Sequence, residues 1–437
     1  MDSELSYDIT YFEGVPREWG IKTLESVLSL IKDGTHNPPK RYKNGIKFIA
    51  GATNVKYLNI DFTNCTYISE SDYEKIHKFY KIQPDDILLT IVGTIGNVAI
   101  VKKSDLPFSM QRSIALLRCG DSLHYKFLFY WLTSEMFKRM LYANVNPTAQ
   151  PGIYLGVLKQ LKIPLPSLRE QQAIAKILSD LDEKIELNDQ MNKTLENIAQ
   201  AIFKRWFIDF EFPNENGEPY KTSGGEMVES ELGMIPKGWE ISTLGDYGEL
   251  KNGINYLRSE SGDAEFFIVN VRNIVNNKLI LKNSLDKIKI DLNKAKSYFL
   301  MDKDILIARS ASPGEVSLVL GNLQNIIYSG FSIRYRLKRP DGYLYMFLVM
   351  QKLKEQLSSF SVGTTLQSIN QETLKKMKFI LPSIEVLNRF NVMAGYILEK
   401  TYINLIENYS LSQIRDLLLP KLMTGKIRVP LEEQNVQ

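Results

Sequence analysis

Cysteine and histidine are nearly missing from this chain. Its 437 residues include two cysteines, Cys65 and Cys119, and three histidines, His36, His77 and His124. The cysteines lack metal-ligand spacing, so no metal site is expected, and they read as reduced thiols. None of the histidines stands in a legible constellation of nucleophile and carboxylate. No Gly-x-Gly-x-x-Gly follows a strand pattern and no Walker phosphate loop is present, so no nucleotide or dinucleotide cofactor is expected. No apolar run approaches the ~20 residues of a membrane-spanning helix; the richest, Tyr343 to Met350, is too short. The start, MDSELSYDIT, is acidic and polar, unlike a signal peptide. Neither sign of charge dominates: 54 basic against 50 acidic residues leave +4, a weak pointer to nucleic acid. These absences predict a cytoplasmic protein with no membrane partner and no catalytic centre of its own.

What is present begins with Leu168 to Phe207, a stretch without Pro or Gly and rich in strong helix formers. As one helix it would span roughly 60 Å at ~1.5 Å per residue. One face reads Ile174, Leu178, Leu181, Ile185, Asn188, Asn192, Leu195, Ala199, Ile202, Trp206, spaced alternately by four and three. That is a heptad seam, and a helix with one narrow apolar stripe needs a partner helix.

The partner lies in the same chain, because the sequence repeats itself. Val15-Pro-Arg-Glu-Trp19 is echoed by Ile235-Pro-Lys-Gly-Trp239, Asp86-Ile-Leu-Leu-Thr90 by Asp304-Ile-Leu-Ile-Ala308, and Leu165-Pro-Ser167 by Leu381-Pro-Ser383. The matches keep their order and their offset drifts only from 220 (15 to 235) to 216 (165 to 381). At the last offset the seam recurs as Phe390, Ala394, Ile397, Thr401, Asn404, Asn408, Leu411, Arg415, Leu418, Leu422, with both central asparagines. Pro420 is expected to disturb the end of this second helix.

Each block before a long helix reads as mixed α and β. Short strands are predicted at 47–50, 86–90, 98–101 and 113–118, and again at 266–271, 305–308, 315–320 and 332–337. Single helices are predicted over 125–141 and 343–357, and 211–234, rich in Gly, Glu, Asn and Pro, reads as a linker. The fold class expected is α+β: two tandem globular domains and two long helices forming an intramolecular antiparallel coiled coil, with a pseudo-twofold repeat. Centred on each other, the helices place Asn188 opposite Asn408, Asn192 opposite Asn404, Ile174 opposite Leu422, Leu178 opposite Leu418 and Trp206 opposite Phe390. Asparagines in an apolar seam set register at a cost in stability; alternatively they face solvent beside it. Two modules related in this way suit two half-sites on duplex DNA, where ~34 Å is one helical turn.

At Leu165-Pro-Ser-Leu-Arg-Glu-Gln-Gln-Ala-Ile-Ala-Lys-Ile-Leu178, Lys204-Arg-Trp-Phe-Ile-Asp-Phe210, Pro213-Asn-Glu-Asn-Gly-Glu-Pro219 and Leu419-Pro-Lys-Leu-Met-Thr-Gly-Lys426, the chain resembles the specificity subunits of type I restriction-modification systems. The likeness covers nearly all of it, although Ile384 to Phe390 lacks the Arg-Glu-Gln-Gln cluster. The resemblance implies two target recognition domains, each reading half of a bipartite site in double-stranded DNA. It also implies spacer helices that dock two methyltransferase subunits, and allows for two ATP-dependent restriction subunits. The chain then divides into a first recognition domain (1–167), a central spacer helix (168–210), a linker (211–234), a second recognition domain (235–383), a C-terminal spacer helix (384–426) and a tail (427–437).

Candidate DNA contacts follow from residue type, since Arg, Lys, Asn and Gln read base edges and small polar groups hold phosphates. In the first domain they are Lys32, Thr35, His36, Asn37, Lys40, Arg41 and Tyr42, then Thr90, Thr94, Gln111, Arg112 and Gln150. In the second they are Lys251, Asn252, Asn255, Tyr256 and Arg258, then Arg309, Ser310, Ser312 and Gln367. Solvated loops, and local backbone caps for the two glutamines, are the alternatives. Asn37-Pro-Pro-Lys40 resembles the Asn-Pro-Pro-aromatic motif of amino-methyltransferases, but its fourth residue is lysine and no cofactor motif precedes it. Two other functions remain open at this level: a self-contained DNA adenine methyltransferase, and a coiled-coil scaffold without a DNA role.

Overall fold

The computed structural model describes residues 11–51, 53–146, 151–257, 261–321, 323–352 and 369–430. The chain separates into two units, Met1–Ile185 with Ser410–Gln437 and Glu186–Tyr409, so the division falls inside both long helices.

The first unit contains β1 (Gly20–Thr23), β2 (Leu28–Asp33), β3 (Ile46–Ile49), β4 (Thr66–Ile68), β5 (Ile87–Thr90), β6 (Val98–Ile100), β7 (Phe108–Met110), β8 (Ile114–Cys119) and β9 (Lys162–Leu165). They form an antiparallel sheet β2-β8-β5-β6, a sheet β4-β3-β7 and the pair β1-β9. Every residue of β5 is buried, which explains why Ile-Leu-Leu-Thr reads as a continuous run instead of an alternating one. β3 and β7 pair in parallel.

The second unit repeats this plan strand for strand. A hairpin of β10 (Met227–Ser230) and β11 (Gly233–Pro236) lies in the stretch expected to be a linker. After it come β12 (Glu240–Thr243), β13 (Gly248–Asn252), β14 (Ala264–Val269), β15 (Asp286–Ile290), β16 (Ile305–Ala308), β17 (Val316–Leu318), β18 (Ile326–Tyr328), β19 (Ser332–Leu337) and β20 (Lys378–Leu381). The sheets are β13-β19-β16-β17, β15-β14-β18 and β12-β20. One ion pair recurs at the mouth of the central strands. Arg118 grips Asp86 through Nε (2.7 Å) and Nη2 (2.8 Å). Arg336 grips Asp304 in the same two-pronged way, at 2.7 and 2.6 Å. Both carboxylates are buried and each also accepts a backbone N–H, from Gln83 and Met301 respectively, so their lone pairs are satisfied.

Two helix expectations need correction, the single helix over 125–141 and the disturbance at Pro420. The segment 125–141 is two helices, Tyr125–Thr133 and Glu135–Ala143. Ser134 divides them: its hydroxyl donates to Trp131 O and accepts from Phe137 N, so it caps the second helix. In the second unit the counterpart runs Tyr343–Gln351, and 353–357 lies outside the described residues. The first long helix is Leu168–Phe203, ending in a π-helical turn, Lys204–Ile208. The second, Ile384–Met423, continues through Pro420 instead of breaking there.

The long helices pair antiparallel within each unit. In the first, Ile174 and Leu178 share a core with Leu418 and Leu422. In the second, the Trp206 and Phe390 rings lie 5.8 Å apart. Asn188 donates to Asn408 Oδ1 (2.8 Å), and Asn404 donates to Asn192 Oδ1 (2.9 Å). Asn408 in turn donates to Asp189 (2.8 Å). Asn188 and Asn404 are fully buried, so these amides do not point to solvent.

The Arg-Glu-Gln-Gln cluster is an internal fastening. Glu170 accepts from Trp19 Nε1 (3.1 Å) and from Arg428 Nε (2.9 Å). Gln171 accepts from His124 N and donates to Ser122 O and Pro166 O. Their counterparts 216 residues on, Val386 and Leu387, are buried apolar residues, and there Phe212 stacks on Trp239 at 5.1 Å. The missing cluster in the second copy is therefore an apolar fastening in place of a polar one. A second case lies deeper along the helices. Asp182 accepts from Tyr130 (2.7 Å), Tyr57 (2.9 Å) and Arg415 (2.7 Å). Burial, reinforced by Asp182, pushes both phenols well above their ordinary range, which keeps them protonated donors. The second unit has Leu398 and Ala199 at the positions of Asp182 and Arg415.

Replacing Asp182 with Leu is expected to destabilise the protein by about 3–5 kcal/mol, because it leaves the Arg415 guanidinium with only the exposed Asp416 and strips the Tyr57 and Tyr130 hydroxyls of their acceptor. The double variant Asp182→Leu/Arg415→Ala, which installs the second unit's pair, should unfold at a higher temperature than Asp182→Leu alone. Calorimetric midpoints of the three proteins test this.

Candidate nucleic-acid interface

In the first unit four separate segments meet at one edge of the fold. The loop after β2 lies along the turn between β7 and β8: Thr35 N donates to Met110 O (3.0 Å) and Arg112 N to Thr35 O (3.2 Å). The loop between β5 and β6 joins them through Ile91 N to Ser113 O (2.8 Å), and it meets the fourth segment through Gly93 N to Pro151 O (3.0 Å). Gly34 makes the approach possible. A Cβ there would lie 2.2 Å from Met110 O, so no larger residue fits. The junction encloses a notch of about 450 Å³ lined by Ala50, Gly51, Thr53, Val92, Gly93, Thr94, Gln111, Arg112 and Ser113.

The second unit assembles the same junction. Ile254 bridges Ser329 in parallel, as Thr35 bridges Gln111. Gly330 N donates to Ile254 O (2.7 Å) and Arg309 N to Phe331 O (2.9 Å). Gly253 is the counterpart of Gly34, with Ser329 O 2.2 Å from the place a Cβ would take. Ala311 occupies the left-handed conformation (φ 62°) that Gly93 adopts in the first unit (φ 78°). Left-handed backbone costs a residue with a Cβ roughly 1–2 kcal/mol, strain of a kind that clusters in functional loops.

The candidates divide on this geometry. Thr35, Asn37, Thr94, Gln111 and Arg112 lie at the first junction, and His36 beside them pairs with Asp33 at 2.7 Å. Lys32 stands exposed on β2. Lys40 and Tyr42 belong to a different part of the surface, where Tyr42 N donates to Tyr67 O (2.9 Å) and Lys40 lies over the Tyr42 ring. Two residues turn inward. Thr90 is fully buried and its hydroxyl accepts from Asn97 N, supporting the loop from beneath. Arg41 packs its guanidinium 3.8 Å over the Phe48 ring. In the second unit Asn255, Arg309 and Ser310 lie at the junction, with Ser312 on the same loop. Tyr256 donates to Asn270, Lys251 is held by Ser297 O, and Asn252 is built into β13. Gln150, Arg258 and Gln367 lie outside the described residues. Residue type alone did not single out Gly51, Thr53 or Phe331; only the tertiary junction brings them to this surface.

No group of three or more His, Cys, Asp or Glu among the described residues is placed to hold a metal. Both cysteines are free, and burial pushes the Cys119 thiol up to about 12, far from a reactive thiolate. No helix among the described residues is long and apolar enough to cross a membrane.

The model of the type I restriction modification DNA specificity domain matches residues 16–197 and again 236–414. The chain belongs to this family. It is similar to the MjaIX specificity subunit of Methanocaldococcus jannaschii, with 27% identity over 98% of this chain and 97% of the relative. It is also similar to the HindI specificity subunit of Haemophilus influenzae, with 29% identity over 69% of this chain and 77% of the relative. Among solved structures, the S subunit of a type I restriction-modification system from M. genitalium shares the fold. Its TM-score is 0.58 at 18% identity, over 94% of this chain and 96% of that one. This specificity subunit is thus a DNA-recognition component and not an enzyme.

The close approach at the two glycines gives a direct check. Gly34→Ala and Gly253→Ala should each destabilise the protein by about 1–3 kcal/mol through overpacking. Each should also weaken binding to the cognate duplex relative to Gly156→Ala, whose Cβ would meet nothing within 4 Å and whose backbone is not left-handed. Melting temperatures and duplex titrations of the three variants would show it.

Proposed function

We propose that each unit reads one half of a bipartite site in duplex DNA through its loop junction, and that the paired helices set the distance between the halves. The observation that carries this reading is one scaffold built twice with different tips. The turn is Gln111-Arg112-Ser113 in the first unit and Ser329-Gly330-Phe331 in the second. Equal frames with unequal side chains suit a site whose halves differ in sequence. Gln and Arg have the donor and acceptor geometry to read adenine and guanine edges in the major groove.

The helices supply the second element. In the second unit Val392, Tyr396, Ile403 and Ile406 are exposed along one stripe of the C-terminal helix, and in the first unit Ile414 and Leu417 are exposed on the same helix. Exposed apolar stripes of this kind mark protein–protein contacts. We assign them to two methyltransferase subunits, with two ATP-dependent restriction subunits completing an assembly that cuts DNA. The complex would work in the cytoplasm, where the DNA is.

The test is to co-express the chain with its methyltransferase and map methylated adenines across the host genome. A split motif, two short specific ends around a non-specific spacer, is the expected result. A continuous motif, or methylation independent of the chain, would refute the proposal.

A further inference from the structure

The two junctions differ most at the tip of one turn. Where the first unit carries Arg112 and Ser113, the second carries Gly330 and Phe331. Phe331 is 64% exposed. Turn tips ordinarily hold small polar residues or glycine, and leaving a phenylalanine in water forfeits most of its burial energy. Phe331 is not alone: Leu257, on the loop joined to this turn through Gly330 N and Ile254 O, is 72% exposed. Two strongly exposed apolar side chains thus stand on adjoining segments of the surface assigned to DNA. Gly330 leaves that turn without the long donor that Arg112 provides in the first unit.

On a base edge in the major groove, the one apolar feature is the C5-methyl group of thymine. We infer that Phe331 is a specificity-determining residue that reads the C5-methyl of a thymine in the half-site of the second unit. This rests on the assignment of the junctions to DNA. In the first unit the same place is polar, lined by Thr94, Gln111 and Arg112, and reads hydrogen-bonding edges instead. The two halves of the target therefore differ in kind: one must contain a thymine against the turn, and the other is chosen by donors and acceptors.

The experiment uses the full chain assembled with its methyltransferase subunits and duplexes carrying the mapped site. Uracil replaces thymine in one half at a time, which removes only the methyl group. The complex is titrated as wild type and as Phe331→Ser, which copies the first unit. In the wild type, uracil in one half should weaken binding about fourfold, the worth of one buried methyl at ~0.8 kcal/mol. Phe331→Ser should lower affinity for the thymine duplex and abolish that difference. Its melting temperature should match the wild type, because the side chain is mostly solvated.

Three outcomes overturn the inference: no uracil effect in either half, a uracil effect in the second unit's half that persists in Phe331→Ser, or a half-site of the second unit that contains no A·T pair while Phe331→Ser still weakens binding. A loss of affinity on Phe331→Ser without methyl dependence would indicate a ring wedged between bases, and so contradict methyl readout. Failure to bind any duplex more tightly than random DNA would instead refute the DNA-reading assignment itself. The two failures are thereby distinguishable.

Discussion

The hydrogen bond from Asn188 to Asn408, with its neighbour from Asn404 to Asn192, is the constraint on which the rest depends. A buried amide without a partner costs about 1–3 kcal/mol, so these four residues tolerate few alignments. Sliding one helix by a turn would leave only one asparagine pair and set the other two asparagines against Leu, Ile or Thr of the opposite seam. Hydrophobic contacts alone would not forbid that slip, because apolar residues recur every three or four positions. The polar pairs select one register, and the aromatic cluster of Trp206, Phe207 and Phe390 closes the seam in the second unit.

Around this seam the chain builds one scaffold twice and fastens it with opposite chemistry. The first unit secures its strands to the helices with Trp19–Glu170–Arg428 and with Asp182 beneath Tyr57, Tyr130 and Arg415. The second uses Phe212 on Trp239, with Val386 and Leu387 at the matching places. A polar socket rejects an apolar plug because its own groups would be left unpaired, and an apolar socket rejects a charge because of desolvation. The fastenings thus distinguish two halves whose backbones are alike. The Asp86–Arg118 and Asp304–Arg336 pairs, by contrast, are the same in both units.

Much of this was legible in the residues. The repeat, the seam and the asparagine alignment rest on one-dimensional periodicity, which a helix carries directly into three dimensions. The central strands showed as apolar runs because both their faces are covered. Other features depend on contacts remote in sequence. Whether Glu170 faces solvent or a core turns on Trp19 and Arg428, far from it in sequence, and Gln171 turns on Ser122 and His124. Ser134 splits a helix because its hydroxyl competes with the backbone, and an apolar pattern does not register that competition. Thr90 and Arg41 had the right chemistry for DNA but turn inward, and Phe331 had the wrong chemistry yet stands on the exposed tip. Polarity marks what can touch DNA; only the tertiary junction decides what does face outward.

The central claim is that helix register sets the separation of two half-sites. The most direct measurement removes one heptad from each long helix, at positions that face each other, and maps the methylated motif of the resulting complex. One heptad is ~10 Å of helix, or about three base pairs at ~3.4 Å each. The account predicts that both specific ends persist while the spacer between them shortens by about that amount. A methylated motif with an unchanged spacer would contradict it.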